Sequence, residues 1–359
     1  MVLVLVKLQV LKSLRGAPMM KRWVTVAGAA AVAASSMTSR AATADYNNPT
    51  GTKGLVLIDK IGRHIRFLNA ASRQELSNIE VGVAPHDLAI SPDHKTVYVP
   101  IYGDGVYGRN PNPGHEIAVI DLESKQQTGA IDVSPYQAPH GIQIDAKGTL
   151  YVTCDLSRKL LVIDPKARKI EAAIDTEGTG HWVAILPDAS KAYIANKNDR
   201  PFVSVIDLRV RKMVGRIDAP NGTQGIVSSP DGKRVVAVDY AEPRLLIIDT
   251  EADKVVDAVT LEGNARGWFK PRYSPDGKTL LVCSTGQGVV TILDAAAVHT
   301  PQHVVTVGRD PMGFAISADG ATALVANHGD GTVSVVDLKQ AKVIDTFKAG
   351  SGIETLAYY

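Results

Sequence analysis

From residue 54 onward the chain is built of short apolar runs, each closed by an acid. Val-Ile precedes Asp121, Asp164 and Asp207, Ile-Ile precedes Asp249, Ile-Leu precedes Asp294, and Val-Val precedes Asp337. Asn69, after Arg66-Phe67-Leu68, is a seventh and degenerate copy. Successive copies stand 42 to 45 residues apart, except for one gap of 52 between Asn69 and Asp121. A second marker is out of phase with the first: Pro92-Asp93, Asp145-Ala146-Lys147-Gly148, Pro187-Asp188, Pro230-Asp231-Gly232, Pro275-Asp276-Gly277 and Ala318-Asp319-Gly320. Asp and Gly supply the backbone geometry and side-chain hydrogen bonds of tight hairpin turns. Each unit therefore reads strand, Asp-Gly turn, strand, loop, strand ending in Asp, short turn, strand. A period in the low forties with four strands per unit predicts the blades of a β-propeller.

The ends agree with this count. Residues 54–82 supply only three strands, and Glu354-Thr355-Leu356-Ala357-Tyr358 supplies a fourth for the same blade. The expectation is an all-β, seven-bladed propeller over residues 54–359, closed when the C-terminal strand completes blade 1. The repeated Asp after the third strand is expected to cap the turn that follows it. With 45% hydrophobic but only 5% aromatic residues, the core must be aliphatic, and Val and Ile favour strands.

Tyr151-Val152-Thr153-Cys154, Tyr193-Ile194-Ala195-Asn196 and Leu324-Val325-Ala326-Asn327 resemble the signature of the YVTN-repeat propellers, which include the YncE-like periplasmic proteins. The resemblance covers nearly all of residues 54–359. It implies the fold, and it assigns no reaction, since propellers host unrelated chemistries. The absence of a Trp-Asp dipeptide argues against the WD40 group.

Charge separates the N-terminus from the rest. Residues 1–44 carry six Lys or Arg and no Asp or Glu, which leaves 33 basic against 37 acidic side chains beyond them. Lys21-Arg22, the apolar stretch Trp23 to Ala34 and Ala42-Thr43-Ala44 form the three parts of a secretory signal. Cleavage is expected after Ala44, with residues 1–18 a spurious upstream extension and residues 45–53 a linker. The apolar stretch is shorter than a membrane span requires, so no stable membrane anchor is expected. Lys21-Arg22 is not a twin-arginine pair, and no Cys lies near the cleavage site. The protein is thus expected in the periplasm, and its mildly acidic body disfavours nucleic acid as a partner.

Aligning the innermost strands by a fixed count back from each Asp-Gly turn gives Glu354, His86, His140, His181, Gln224, Phe269 and Met312 for blades 1 to 7. Strand starts of this kind encircle one end of the central channel. Three imidazoles beside a carboxylate match the ligand demand of Zn, Cu, Fe or Mn. His86, His140 and His181 are the expected metal ligands, with Glu354 as a fourth ligand, a partner fixing an imidazole, or a proton-transfer group. A neutral or protonated His cluster binding an anion, and a cluster that merely fixes blade packing, are the alternatives. The insertion in blade 2, Tyr102 to His115, is expected on the same face as a cover, and loops of this length are often functional. It offers Tyr102, Arg109 and, as a second proton-transfer candidate, His115. Asn196, Asp239 and His328 come from other loops on that face. Arg272 lies inside the innermost strand of blade 6, where a charge requires a partner or the wet channel. Cys154 and Cys283 sit in non-neighbouring blades, which argues against a disulfide.

Missing motifs prune the chemistry. There is no C-x-x-C-H for attached haem and no G-x-S-x-G elbow. The body has only Trp182 and Trp268 and no adjacent cysteines, unlike the large quinoprotein dehydrogenases. Two classes remain. One is a metal-dependent hydrolase (a lactonase, for instance) or oxidoreductase acting on a small polar or anionic molecule. The other is a non-enzymatic scaffold, carrier or accessory factor with a periplasmic partner protein. A monomer is expected in either case.

Overall fold

A computed structural model describes residues 54–197, 201–263 and 269–359. The proposed signal segment, upstream extension and linker lie outside the described residues. The remainder forms seven four-stranded antiparallel sheets arranged as blades in a ring. Blade 1 has the strand order Ile353–Tyr358, Gly54–Asp59, His64–Asn69, Glu75–Glu80, so the C-terminal strand is its innermost member. Leu55 faces Tyr358 and Leu57 faces Leu356 across this seam. Among the described residues there is no α-helix.

The strands are apolar on both faces because each blade lies between two others. In the second strand of blade 1, Val56 and Ile58 join a cluster with Val97 and Val99 of blade 2. Leu55 and Leu57 point the other way, into a cluster with Leu324 and Val333 of blade 7. The same alternation gives one aliphatic cluster between each pair of successive blades around the ring. The outermost strands show the exposed alternation expected of an edge, as in Glu75–Glu80 and Lys342–Lys348.

The repeated acid at the end of each third strand caps the next turn. Asp164 Oδ1 accepts from the backbone N–H of Lys166 and Ala167, and Asp207, Asp249 and Asn69 make the equivalent pairs of bonds. Asp121, Asp294 and Asp337 accept from Ser124, Ala296 and Gln340. Asp231 and Asp276, in the Asp-Gly hairpins, each accept from a Ser hydroxyl and from the backbone of the following Lys. Cys154 and Cys283 are buried and unbridged, and burial pushes both thiols up, Cys283 to about 12.

Candidate functional site at the channel mouth

A β-bulge builds the ring of side chains at the mouth. In blade 4, Gly180 pairs with Asn196 and Val183 with Ile194, so His181 and Trp182 share the space of one residue. Blades 1, 3, 5 and 7 show the same shift at Glu354, His140, Gln224 and Met312. In blade 2 the bridge Pro85–Ile101 followed by Ala89–Tyr98 makes it at His86. Bulges of this type re-aim a side chain out of the sheet. Blade 6 alone is regular from Phe269–Ser284 to Tyr273–Leu280. Its mouth residue is therefore Lys270, one position later than the common count predicts. Lys270, Glu354, His86, His140, His181, Gln224 and Met312 line one cavity of about 370 Å³.

The histidines are packed ring to ring. His86 and His140 have centroids 3.8 Å apart, and His140 and His181 are 4.3 Å apart. His140 Nδ1 lies 3.2 Å from the carbonyl of His181, and His181 Nδ1 lies 3.2 Å from the carbonyl of Gln224. A carbonyl only accepts, so both Nδ1 atoms carry the proton and both Nε2 atoms are bare in the neutral ring. His86 is turned the other way, with Nε2 3.3 Å from Glu354 Oε1 and a buried Nδ1 that has no hydrogen-bond partner among the described residues. Burial is the main reason all three imidazoles titrate well below the usual histidine value. For His140 the charges of Lys60 and Lys197 add to it.

A second ring follows the end of the second strand in six blades, at Lys60, Asp155, Lys197, Tyr240, Thr285 and His328, and in blade 2 it falls on Tyr102, inside the longer strand Thr96–Gly103. Glu354 joins the two rings, with Oε2 3.8 Å from Lys60 Nζ and 3.4 Å from His328 Nδ1. Lys270 Nζ sits 3.7 Å above the Trp182 ring and 3.8 Å from Asp87 Oδ1. Burial, followed by the charge of Lys60, lowers Lys197 to about 8.

The blade 2 loop covers part of the mouth. Strands Thr96–Gly103 and Pro113–Asp121 extend further than the sequence suggested, so the loop is residues 104–112. Tyr107 stands edge-on to His181 at 4.7 Å, and its hydroxyl donates to the Thr179 carbonyl. Gly108 N and the Tyr102 hydroxyl both donate to Asp155 Oδ2, at 3.3 and 2.8 Å. Burial raises the Asp155 carboxyl to about 6.

The expected site residues thus separate. His86, His140, His181, Glu354, Gln224 and Arg109 line the cavity. Tyr102 packs on His86 and His140, at 5.3 and 5.0 Å. Arg272 is buried on the face of its strand that also carries Lys270. His115 corrects the sequence reading, because it belongs to an extended strand, is exposed and is not part of the cavity wall. Asn196 and Asp239 also stand outside the wall. The Asn196 amide is committed to Phe202 O and Ser204 Oγ, and the Asp239 carboxylate to Asn221, Arg244 and the backbone of Ala241 and Glu242. Lys60, Lys197 and Lys270 were missed. Aligning the residue after each second strand reveals the first two, whereas Lys270 requires knowing that blade 6 has no bulge.

Among the described residues, no three His, Cys, Asp or Glu side chains converge as placed into a set that grips an ion. The donor chemistry nevertheless fits one: two neutral imidazoles with bare Nε2 atoms, a third with an unpartnered Nδ1, and a carboxylate beside it.

No protein-family model and no curated protein sequence matches the chain. Among solved structures, the chain is similar to hydrazine synthase of Kuenenia stuttgartiensis. The TM-score is 0.68 at 22% identity, over 82% of this chain and 97% of that one. The likeness is one of fold. It supports the seven-bladed ring and says nothing about the chemistry of the mouth.

Proposed function

We propose that this is an exported, periplasmic propeller of the YVTN-repeat type that binds a transition metal at the channel mouth and acts enzymatically on a small anionic molecule. The observation that carries this reading is the pair of Nδ1–H bonds from His140 and His181 to the backbone carbonyls of the next blade. Metal-bound histidines characteristically have the second nitrogen tied in this way, which fixes the tautomer and the ring orientation. Neutral imidazoles are also ready to bind without first losing a proton. His86 and Glu354 complete the donor set, Glu354 holding the His86 ring through Nε2. Bound there, Zn would activate water for hydrolysis or lactone opening, and Cu, Fe or Mn would add redox chemistry. Glu354, close to Lys60 and His328 as well as His86, is the proton-transfer candidate.

A second reading, a metal-free binding module, is favoured by the crowding of lysines around the histidines, since each ammonium opposes a bound cation. Metal analysis separates the two. Purified mature protein (residues 45–359) is expected to carry about one equivalent of Zn, Cu, Fe or Mn, and the His86→Ala/His140→Ala/His181→Ala variant none. A folded wild-type protein that stays metal-free after reconstitution with each of these ions would overturn the metal reading in favour of the binding module.

A further inference from the structure

Among the described residues, the wall of the mouth carries more cations than acids. Lys60, Lys197, Lys270 and Arg109 line the cavity, and Glu354 is the one carboxylate in that wall among the described residues. Two further acids stand behind the wall: Asp87, 3.8 Å from Lys270, and Asp155, committed to Tyr102 and Gly108. Glu354 is itself shared between Lys60, His86 and His328. Burying ammonium groups together is costly unless counter-charge arrives. Lys197 is only 6% exposed.

The ammonium groups are also held in place. Lys270 lies 3.7 Å over Trp182, Lys197 lies 4.3 Å over Tyr107 and 5.8 Å from Tyr240, and Lys60 lies 5.7 Å from Tyr102. Aromatic faces fix a cation through the ring quadrupole without neutralising it. Trp182, Tyr107 and Tyr240, with Met312 and Val106, give the cavity apolar walls, and a volume near 370 Å³ exceeds what a bare inorganic anion fills. Aromatic surface for a carbon skeleton and separated point charges for its ends are the two features of an organic-acid pocket.

We propose that this cavity is a receptor for a small aliphatic polycarboxylate, whose carboxylates engage Lys60, Lys197 and Lys270 while its carbon chain lies against Trp182 and Tyr107. This deepens the reading above by naming the substrate class, and the lysines do not need a metal in order to bind it. The test therefore uses metal-stripped mature protein at low ionic strength, titrated calorimetrically with tricarballylate, succinate, inorganic phosphate and glycerol. Tricarballylate is expected to bind at least fivefold more tightly than succinate or phosphate, and glycerol not to bind. Lys197→Met and Lys270→Met are each expected to weaken tricarballylate about tenfold. The exposed Lys339→Met on the outer rim of blade 7 should change nothing. Thermal melts establish that each variant is folded, and emission of Trp182, read in a Trp268→Phe background and sensitive to the Lys270 ammonium, reports binding at the mouth. Phosphate binding as tightly as tricarballylate, measurable glycerol binding, or an affinity unmoved in a folded Lys60→Met/Lys197→Met/Lys270→Met variant would overturn the proposal. A His140→Ala/His181→Ala protein that holds no metal but keeps its tricarballylate affinity supports it, and keeps its fate separate from that of the metal reading.

Discussion

Asp155 ties the blade 2 loop to the wall of the mouth, and its environment makes a stability prediction with a definite sign. Burial lifts its carboxyl from the ordinary 3.8 to about 6 while Tyr102 and Gly108 donate to the same oxygen. The folded protein therefore binds this proton more readily than the unfolded chain does. Below about pH 4 both states are protonated and the group is neutral in its effect. Between about pH 4 and 6 the unfolded chain ionises first, so stability falls as pH rises, by on the order of 3 kcal/mol in full. Asp155→Asn keeps an acceptor for Tyr102 and removes the charge. In urea denaturation it is expected to be more stable than wild type at pH 7 by up to about that amount, and nearly equal to it at pH 4. A stability difference independent of pH would show that the ionised carboxylate is not what the fold resists. Nothing in the chain marks Asp155 as special, because an acid in a surface loop looks the same whether solvated or buried. The histidine triplet was legible because three of a rare residue fell into one column of the repeat.

At the scale of the strand, the site is a consequence of the bulges. The column of innermost residues could be read from the sequence only because six blades insert their extra residue at the same place, so that a constant count lands on each mouth residue. Blade 6 is regular, and the count there falls on Phe269 while the pairing puts Lys270 at the mouth. A bulge adds no composition signal, which is why the largest error of register sits there. The ends of the second strands show the reverse confusion. Asn196 and Asp239 stand beside the site in sequence, yet the Asn196 amide nitrogen is committed to Phe202 O and Ser204 Oγ, and the Asp239 carboxylate to Asn221, Arg244 and the turn that follows it. Asn196→Ala removes the amide that donates to Phe202 O and Ser204 Oγ in a fully buried position. Leaving those acceptors unpaired is expected to cost on the order of 2 kcal/mol in denaturant unfolding. Tricarballylate affinity should stay within about twofold of wild type, since Asn196 lies behind the wall. Lost affinity at unchanged stability would instead return Asn196 to the binding surface.

The whole molecule is held by neighbours in a closed circle, and blade 1 is completed by the strand Ile353–Tyr358 from the far end of the repeat. Each interface between blades is an aliphatic cluster of similar kind, so the repeat and its apolar runs announced the ring before any contact was known. Runs apolar on both faces are what a sheet sandwiched between two others requires. One of those interfaces depends on a strand contributed from the far end of the sequence. Ile353 and Leu356 are fully buried in the cluster between blades 7 and 1. Asp59, also fully buried, accepts from Ser351 N at 3.0 Å and Gly352 N at 2.8 Å, which latches the returning segment to blade 1. Removing residues 353–359 would strip Glu354 from the mouth, take Ile353, Leu356 and Tyr358 out of that cluster and leave Gly54–Asp59 as an edge strand. An exposed, apolar edge strand pairs with whatever strand it meets, including another copy of itself. The truncated protein is therefore expected to associate in size-exclusion chromatography and to melt more than about 10 °C lower, with a broadened transition. A synthetic peptide of residues 353–359 added in excess should restore the monomer, because it supplies the missing strand without the covalent link. A truncated chain that stays monomeric with an unchanged, sharp melt would mean that the other six interfaces hold the ring without the seam, and that the C-terminal strand is kept for Glu354 alone.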